Sequence, residues 1–109
     1  MSEGYLRSIA GKNPEVVERL VNDLRATPRE TVRESGAKAL KDYDPKPALA
    51  AYHGPKLAIV IPQNDSPISL HRIGAGMPHE VISGTGHWVA LEKPAEVNRL
   101  LDRFLSTID

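Results

Sequence analysis

The segment Leu57-Ala58-Ile59-Val60-Ile61, which lies between Gly54-Pro55 and Pro62, is a continuous apolar run that ends in three β-branched residues. Polar residues do not alternate with apolar ones in it, so neither face of a strand made from it would suit water. Such runs are typical of parallel strands that are buried on both faces. The segment therefore predicts a buried parallel strand and places the chain in the α/β class.

A second strand is predicted over residues 79–83, where His79-Glu80-Val81-Ile82-Ser83 follows a glycine-containing break. Between the two strands, Ser66-Pro67 is expected to cap a short helix that ends near Gly74. A strand, a crossover helix and a second strand make a βαβ unit with two parallel strands.

Helices are predicted on both sides of this unit. Asn13-Pro14 provides a cap and a first helical residue for an amphipathic helix over about residues 14–26. Thr27 and Glu30 form a capping-box pattern for a second helix that runs to about Lys41. Further helices are expected over 45–52 and from Pro94 to the end of the chain, the last covering one face of the sheet. This divides the chain into a helical segment, residues 1–53, and a βαβα segment, residues 54–109, within one domain.

Composition limits the function. The chain has 109 residues, with 14 Lys and Arg against 14 Asp and Glu, so no net field attracts nucleic acid or an anionic membrane. It has no Cys, which excludes a Cys nucleophile and thiolate metal ligands. The start of the sequence is polar and no apolar run approaches the roughly 20 residues that span a bilayer. A cytoplasmic protein without nucleic-acid or membrane partners is expected.

Two strands alone leave sheet edges uncovered, which is not a stable arrangement. We therefore expect a homodimer that joins sheet edges or exchanges helices.

The C-terminal half of the chain resembles the end of an α/β-hydrolase. The similarity covers residues 55–108, and residues 1–52 resemble the helical cap that often precedes that region. The motifs that carry it are Asn64-Asp65, Gly84-Thr85-Gly86-His87-Trp88 and Glu92-Lys93-Pro94. The resemblance implies that Asp65 and His87 are the acid and base of a triad and that they touch. It also implies that Glu92 supports the loop that carries the histidine.

The same resemblance lacks its nucleophile. No G-x-S-x-G pentapeptide occurs in the sequence, and the oxyanion-hole loop has no counterpart. Ser66 precedes Pro67 and is better explained as a helix cap than as a replacement nucleophile. Acyl-enzyme chemistry of the usual kind is therefore not expected.

A metal ion is the predicted replacement for the serine. His71 follows Asp65 by six residues, so Asp65, His71 and His87 are expected to converge at the carboxyl ends of the strands. Two imidazoles and a carboxylate suit a divalent ion that activates water, with zinc preferred and manganese as the alternative. The predicted function is hydrolysis of a small-molecule ester, lactone or phosphoester. His53 and His79 precede the strands and are expected at the opposite end of the sheet, away from these ligands.

Three alternatives remain at this point. His71 on a short helix is most often simply solvated, and the Asp65–His87 pair is then an unused remnant. In the second alternative, the chain is a noncatalytic C-terminal fragment or dimerising remnant of a serine α/β-hydrolase. In the third alternative, Asp65 and His87 support general-base hydrolysis without a metal.

Overall fold

The structure is a computed structural model that describes residues 1–39, 43–74 and 76–108. Helices make up most of it, and two short strands lie in its second half. In chain order the elements are α1 (Glu3–Ile9), α2 (Pro14–Ala26), α3 (Arg29–Ala39), α4 (Lys46–Ala51), β1 (Ala58–Val60), a 3-10 turn (Pro62–Asn64), α5 (Leu70–Ile73), β2 (His79–Val81), α6 (Val89–Glu92) and α7 (Pro94–Ser106).

The predicted helix over residues 14–26 is confirmed as α2. The side chain of Asn13 accepts hydrogen bonds from the first backbone N–H groups of the helix, and Val16 and Val21 are its buried residues. The capping box predicted for the next helix is wrong. Thr27 is instead the C-cap of α2: its backbone is extended, its N–H donates to the carbonyl of Leu24, and its hydroxyl donates to that of Asp23. The predicted end of the second helix near Lys41 lies outside the described residues.

Helix α1 was not predicted from the sequence. The Ser2 hydroxyl accepts a hydrogen bond from the N–H of Tyr5, and Glu3 forms an ion pair with Arg25 of α2. Leu6 is the one buried residue within the helix. A single buried residue in seven gives no periodic signal, and this explains why the sequence did not reveal α1.

The two strands are parallel, as predicted, and the mixed α/β class is confirmed. The register pairs Ala58 with His79, Ile59 with Glu80 and Val60 with Val81. Each strand is only three residues long, shorter than the predicted segments. The residues of β1 are half-buried, so the prediction that this strand is buried on both faces is wrong.

One face of the sheet carries a small core. Ile82, Val97 and Leu100 form a buried cluster, and Ile59 and Val89 pack against it. Because Val97 and Leu100 belong to α7, the last helix covers this face as predicted. On the opposite face, His71 of α5 lies against His79 at the start of β2, while Val81 is exposed.

The molecule is extended for its length. Its radius of gyration is 16.0 Å, whereas the size scaling for compact domains gives about 13 Å for a chain of this length. None of the helices in the described ranges combines the length and apolar composition needed to cross a bilayer.

The short helix between the strands begins later than predicted. Leu70 is its first residue and Ser69 precedes it, so Ser66-Pro67 does not cap it. The Ser69 hydroxyl accepts the N–H of Ser66, which makes a turn before the helix. The later start of α5 in the sequence sets the directions in which its side chains point.

Candidate active site at the histidine loop

The loop that joins β2 to α6, residues 83–88, is here called the histidine loop. Its backbone is held from several directions: the Gln63 side chain donates to the carbonyl of Thr85 over 2.7 Å, and Lys93 donates to that of Ser83 over 2.8 Å. The carboxylate of Glu92 accepts the N–H of Gly86. The predicted supporting role of Glu92 is therefore confirmed, although Glu92 ends α6 rather than starting α7.

The histidine loop also contacts the N-terminal helices. The N–H of His87 donates to the carbonyl of Ile9 over 2.7 Å. A Cβ atom added to Gly86 would collide with the backbone of Ile9, Ala10 and Gly11. Gly86 is thus required because two backbone segments meet there at close range.

His87 leaves this fixed backbone with an exposed side chain. Its Nδ1 lies 3.3 Å from Nδ2 of Asn64, which ends the 3-10 turn after β1. The Trp88 ring meets the imidazole edge-on, with 5.0 Å between ring centroids. The imidazole is therefore oriented through one nitrogen, and its Nε2 is the nitrogen left for chemistry.

Asp65 has other partners than the predicted one. Its carboxylate accepts hydrogen bonds from Arg72 Nε at 2.9 Å and Arg72 Nη2 at 2.7 Å, and lies 3.1 Å from His71 Nε2. The Arg72 guanidinium lowers the pKa of Asp65 to about 2. The structure therefore brings Asp65 together with His71 but pairs His87 with Asn64, and the predicted Asp65–His87 contact is not among its hydrogen bonds.

His71 is buried, and the alternative that treats it as a solvated surface residue is wrong. Its side chain is 2% exposed, and its Nδ1 is buried without a hydrogen-bond partner. The ring lies against that of His79, with 4.7 Å between centroids. The prediction that His79 lies away from His71 is therefore wrong. With strands only three residues long, α5 reaches back to the start of β2. His53 is exposed, as expected.

Two histidines share one cavity. A cavity of about 470 Å³ runs along β1 and is lined by Ala58, Ile59, Val60, Ile61, Asn64, Ser69, Leu70, His71, His87 and Val89. Asp65 is not part of the lining. Its carboxylate lies behind His71 and fixes that ring instead. Within the described ranges, no group of three or more His, Asp or Glu side chains has an arrangement that would hold a metal ion.

A larger cavity, of about 650 Å³, lies where α2 gives way to α3. Arg25, Arg29 and Arg33 are among its lining residues, but no histidine or carboxylate is. The acid–base groups therefore point to the smaller cavity along β1 as the candidate site.

Sequence reasoning did not assign roles to Asn64 and Arg72. Asn64 stood in the quoted motif, immediately before Asp65, and its position after a predicted strand was the available signal. Comparison with protein-family models, curated proteins and solved structures finds no match to this chain.

Proposed function

We propose that this chain hydrolyses activated esters of small molecules, with His87 as the general base. The observation that supports the proposal most directly is the position of His87. Its imidazole is exposed and lines the cavity along β1, and one of its nitrogens is oriented by Asn64. A base held in place next to a cavity fits proton transfer from water to a bound substrate's leaving group.

The tautomer of His87 decides whether it acts as a base. With Asn64 Nδ2 facing the ring, the amide donates to Nδ1 and the proton resides on Nε2. Rotation of the amide by 180° presents Oδ1 instead, which accepts Nδ1–H and leaves an unprotonated Nε2 at the cavity. The second arrangement is the one that the proposal requires, and Asn orients a catalytic His in this way in papain-like proteases.

In the proposed reaction, Nε2 removes a proton from water while the water oxygen bonds to the ester carbonyl carbon. The resulting tetrahedral species expels the alcohol, which takes the proton back from the imidazolium. Water is the nucleophile because the sequence contains no G-x-S-x-G elbow. General-base assistance of this kind contributes about 10²- to 10⁴-fold, so the expected activity is modest and confined to esters with good leaving groups.

Hydrolysis of p-nitrophenyl acetate near neutral pH tests the proposal. His87→Gln should reduce the protein-dependent rate to the level of buffer, while His53→Gln, which changes another exposed histidine, should retain it. Equal rates for the wild-type chain and His87→Gln would refute it. The same rates measured with and without chelator show whether a metal takes part.

A metal-activated water is the second candidate, and two observations favour it. His71 and His87 line the same cavity, and the Nδ1 of His71 is buried without a partner. The proposed ligands are Asp65, His71 and His87, and zinc or manganese is the proposed ion. Asp65 would have to leave both Arg72 and Nε2 of His71 and turn toward the cavity, which it does not line in this structure.

Elemental analysis of the purified protein separates the two candidates. Stoichiometric zinc or manganese, with hydrolysis that a chelator removes, supports the metal. Metal-free protein with chelator-insensitive hydrolysis refutes it and supports general-base catalysis by His87. Neither metal nor hydrolysis would refute both and leave the noncatalytic fragment.

A further inference from the structure

The outer edge of β1 is unpaired in the described part of the chain, since the sheet consists of β1 and β2 alone. On the inner edge, the Ala58 N–H donates to Pro78 and the Val60 carbonyl accepts from Ile82. Backbone groups of successive strand residues point to opposite edges. The N–H and carbonyl of Ile59 therefore point outward, away from β2.

The cavity along β1 is a groove around this outer edge. Ile59 packs on the core that α7 covers, so its neighbour Ala58 and that residue's partner His79 lie on the opposite face. Val89 packs against the core, while His71 contacts His79. Since both Val89 and His71 line the cavity, its walls rise on both sides of the strand.

We propose that a second copy of this chain occupies the groove, with the two β1 strands paired antiparallel about a twofold axis at Ile59. In this register Ile59 faces Ile59 of the second copy, and the two residues exchange both backbone hydrogen bonds. The two sheets then join into one sheet of four strands. This removes the exposed edge that makes a two-stranded sheet marginal.

Charge argues for a second copy as the occupant. The segment 57–62 contains no charged residue, and the whole chain has a formal net charge of zero, so two copies meet without repulsion. The twofold axis also places the two Lys56 side chains at opposite ends of the paired segment. The chain is extended, with a radius of gyration of 16.0 Å, as expected for a subunit whose core is completed by a second copy. His87 lines the same groove, so a second copy and a substrate would compete for it, and the inference does not depend on hydrolysis.

The proposed register places Ala58 directly opposite Val60 of the second copy, as a non-hydrogen-bonded pair in which side chains approach closely. It therefore predicts opposite effects for two variants that differ at one residue. In A58K/V60K, two lysines face each other twice across the axis. In A58K/V60E, each lysine faces a glutamate. Both positions lie outside the core cluster but are half-buried, so each double variant is first checked for retained helix content.

Sedimentation velocity between about 5 and 200 μM tests the proposal, with circular dichroism as the check on folding. The wild-type chain and A58K/V60E should reach twice the 11.9 kDa of one chain. A58K/V60K should dissociate at concentrations about twofold to thirtyfold higher than the wild-type chain, as expected for two like-charge cross-strand pairs. Hydrogen exchange of the Ile59 amide in the wild-type chain should slow as the concentration rises.

Two results would overturn the proposal. One is a wild-type chain that stays monomeric at 200 μM with a rapidly exchanging Ile59 amide, which would assign the groove to another occupant. The other is equal dimerisation of the two double variants, which would place the interface elsewhere. Measurement of the wild-type amide keeps the test decisive even if a double variant fails to fold.

Discussion

Gly86→Ala tests the close contact between the histidine loop and residues 9–11. The added Cβ would meet the backbone of Ile9, Ala10 and Gly11, and backbone cannot move aside as a flexible side chain can. Overpacking of this kind costs about 1 to 3 kcal/mol. Separation of the two segments would also break the hydrogen bond from His87 N–H to Ile9. Loss of that bond adds about 0.5 to 1.5 kcal/mol, so the free energy of unfolding should fall by about 1.5 to 4.5 kcal/mol.

Urea denaturation, followed by circular dichroism and by the fluorescence of Trp88, measures this loss. Gly4→Ala is the matched control, because a Cβ at Gly4 has no atom within 4 Å. Gly4 lies inside α1, so alanine there should raise the free energy of unfolding by about 0.5 to 1 kcal/mol. If Gly86→Ala unfolds at the same urea concentration as the wild-type chain, the close contact between the histidine loop and residues 9–11 does not exist.

Three other predictions follow from the site and the core. Asn64→Asp should raise the rate of p-nitrophenyl acetate hydrolysis about tenfold, because a carboxylate fixes Nδ1–H and leaves Nε2 of His87 free as a base; an unchanged or lower rate contradicts the proposed tautomer. Asp65 has a pKa of about 2 against its ordinary 3.8. Its contribution to stability is therefore full above about pH 4 and is lost as the pH falls towards 2. Asp65→Asn should flatten that part of the urea-midpoint profile, and a profile as steep as that of the wild-type chain would argue against the ion pair with Arg72. Ile82→Ala should cost about 2 to 5 kcal/mol in urea denaturation, because this side chain is fully buried; a loss under 1 kcal/mol would mean that the core collapses around the gap.

Two of these variants, Asn64→Asp and Ile82→Ala, have a matched control in the chain. Asn64→Ala removes the amide without adding a carboxylate and should lower the rate. Val81→Ala changes the exposed neighbour of Ile82 and should alter the free energy of unfolding by no more than about 0.5 kcal/mol.

The parts of the fold that the sequence predicted are those set by nearby residues. Asn13 and Pro14 mark the start of α2, and the three-four spacing of apolar residues defines both α2 and α7. The apolar run at 57–61 located β1 for a similar reason. The length and burial of β1 were not predictable, because they depend on what covers the sheet.

For the candidate site, the sequence predicted only its location at the histidine loop. The loop carrying His87 and its support by Glu92 followed from the motif. The partners of Asp65 did not, because they depend on where α5 begins. With Leu70 as the first helical residue, His71 and Arg72 both reach the carboxylate. A helix that began at Pro67 would present different side chains to the carboxylate of Asp65.

The hydrogen bond between Ile9 and His87 joins positions near the two ends of the chain. Contacts of such long sequence separation form late, because the entropy of closing the loop has to be lost first. His87 therefore gains its final orientation only once α1 and the histidine loop have met. The same link works in reverse in the finished molecule, where a ligand that tightens the histidine loop must also slow the opening of α1.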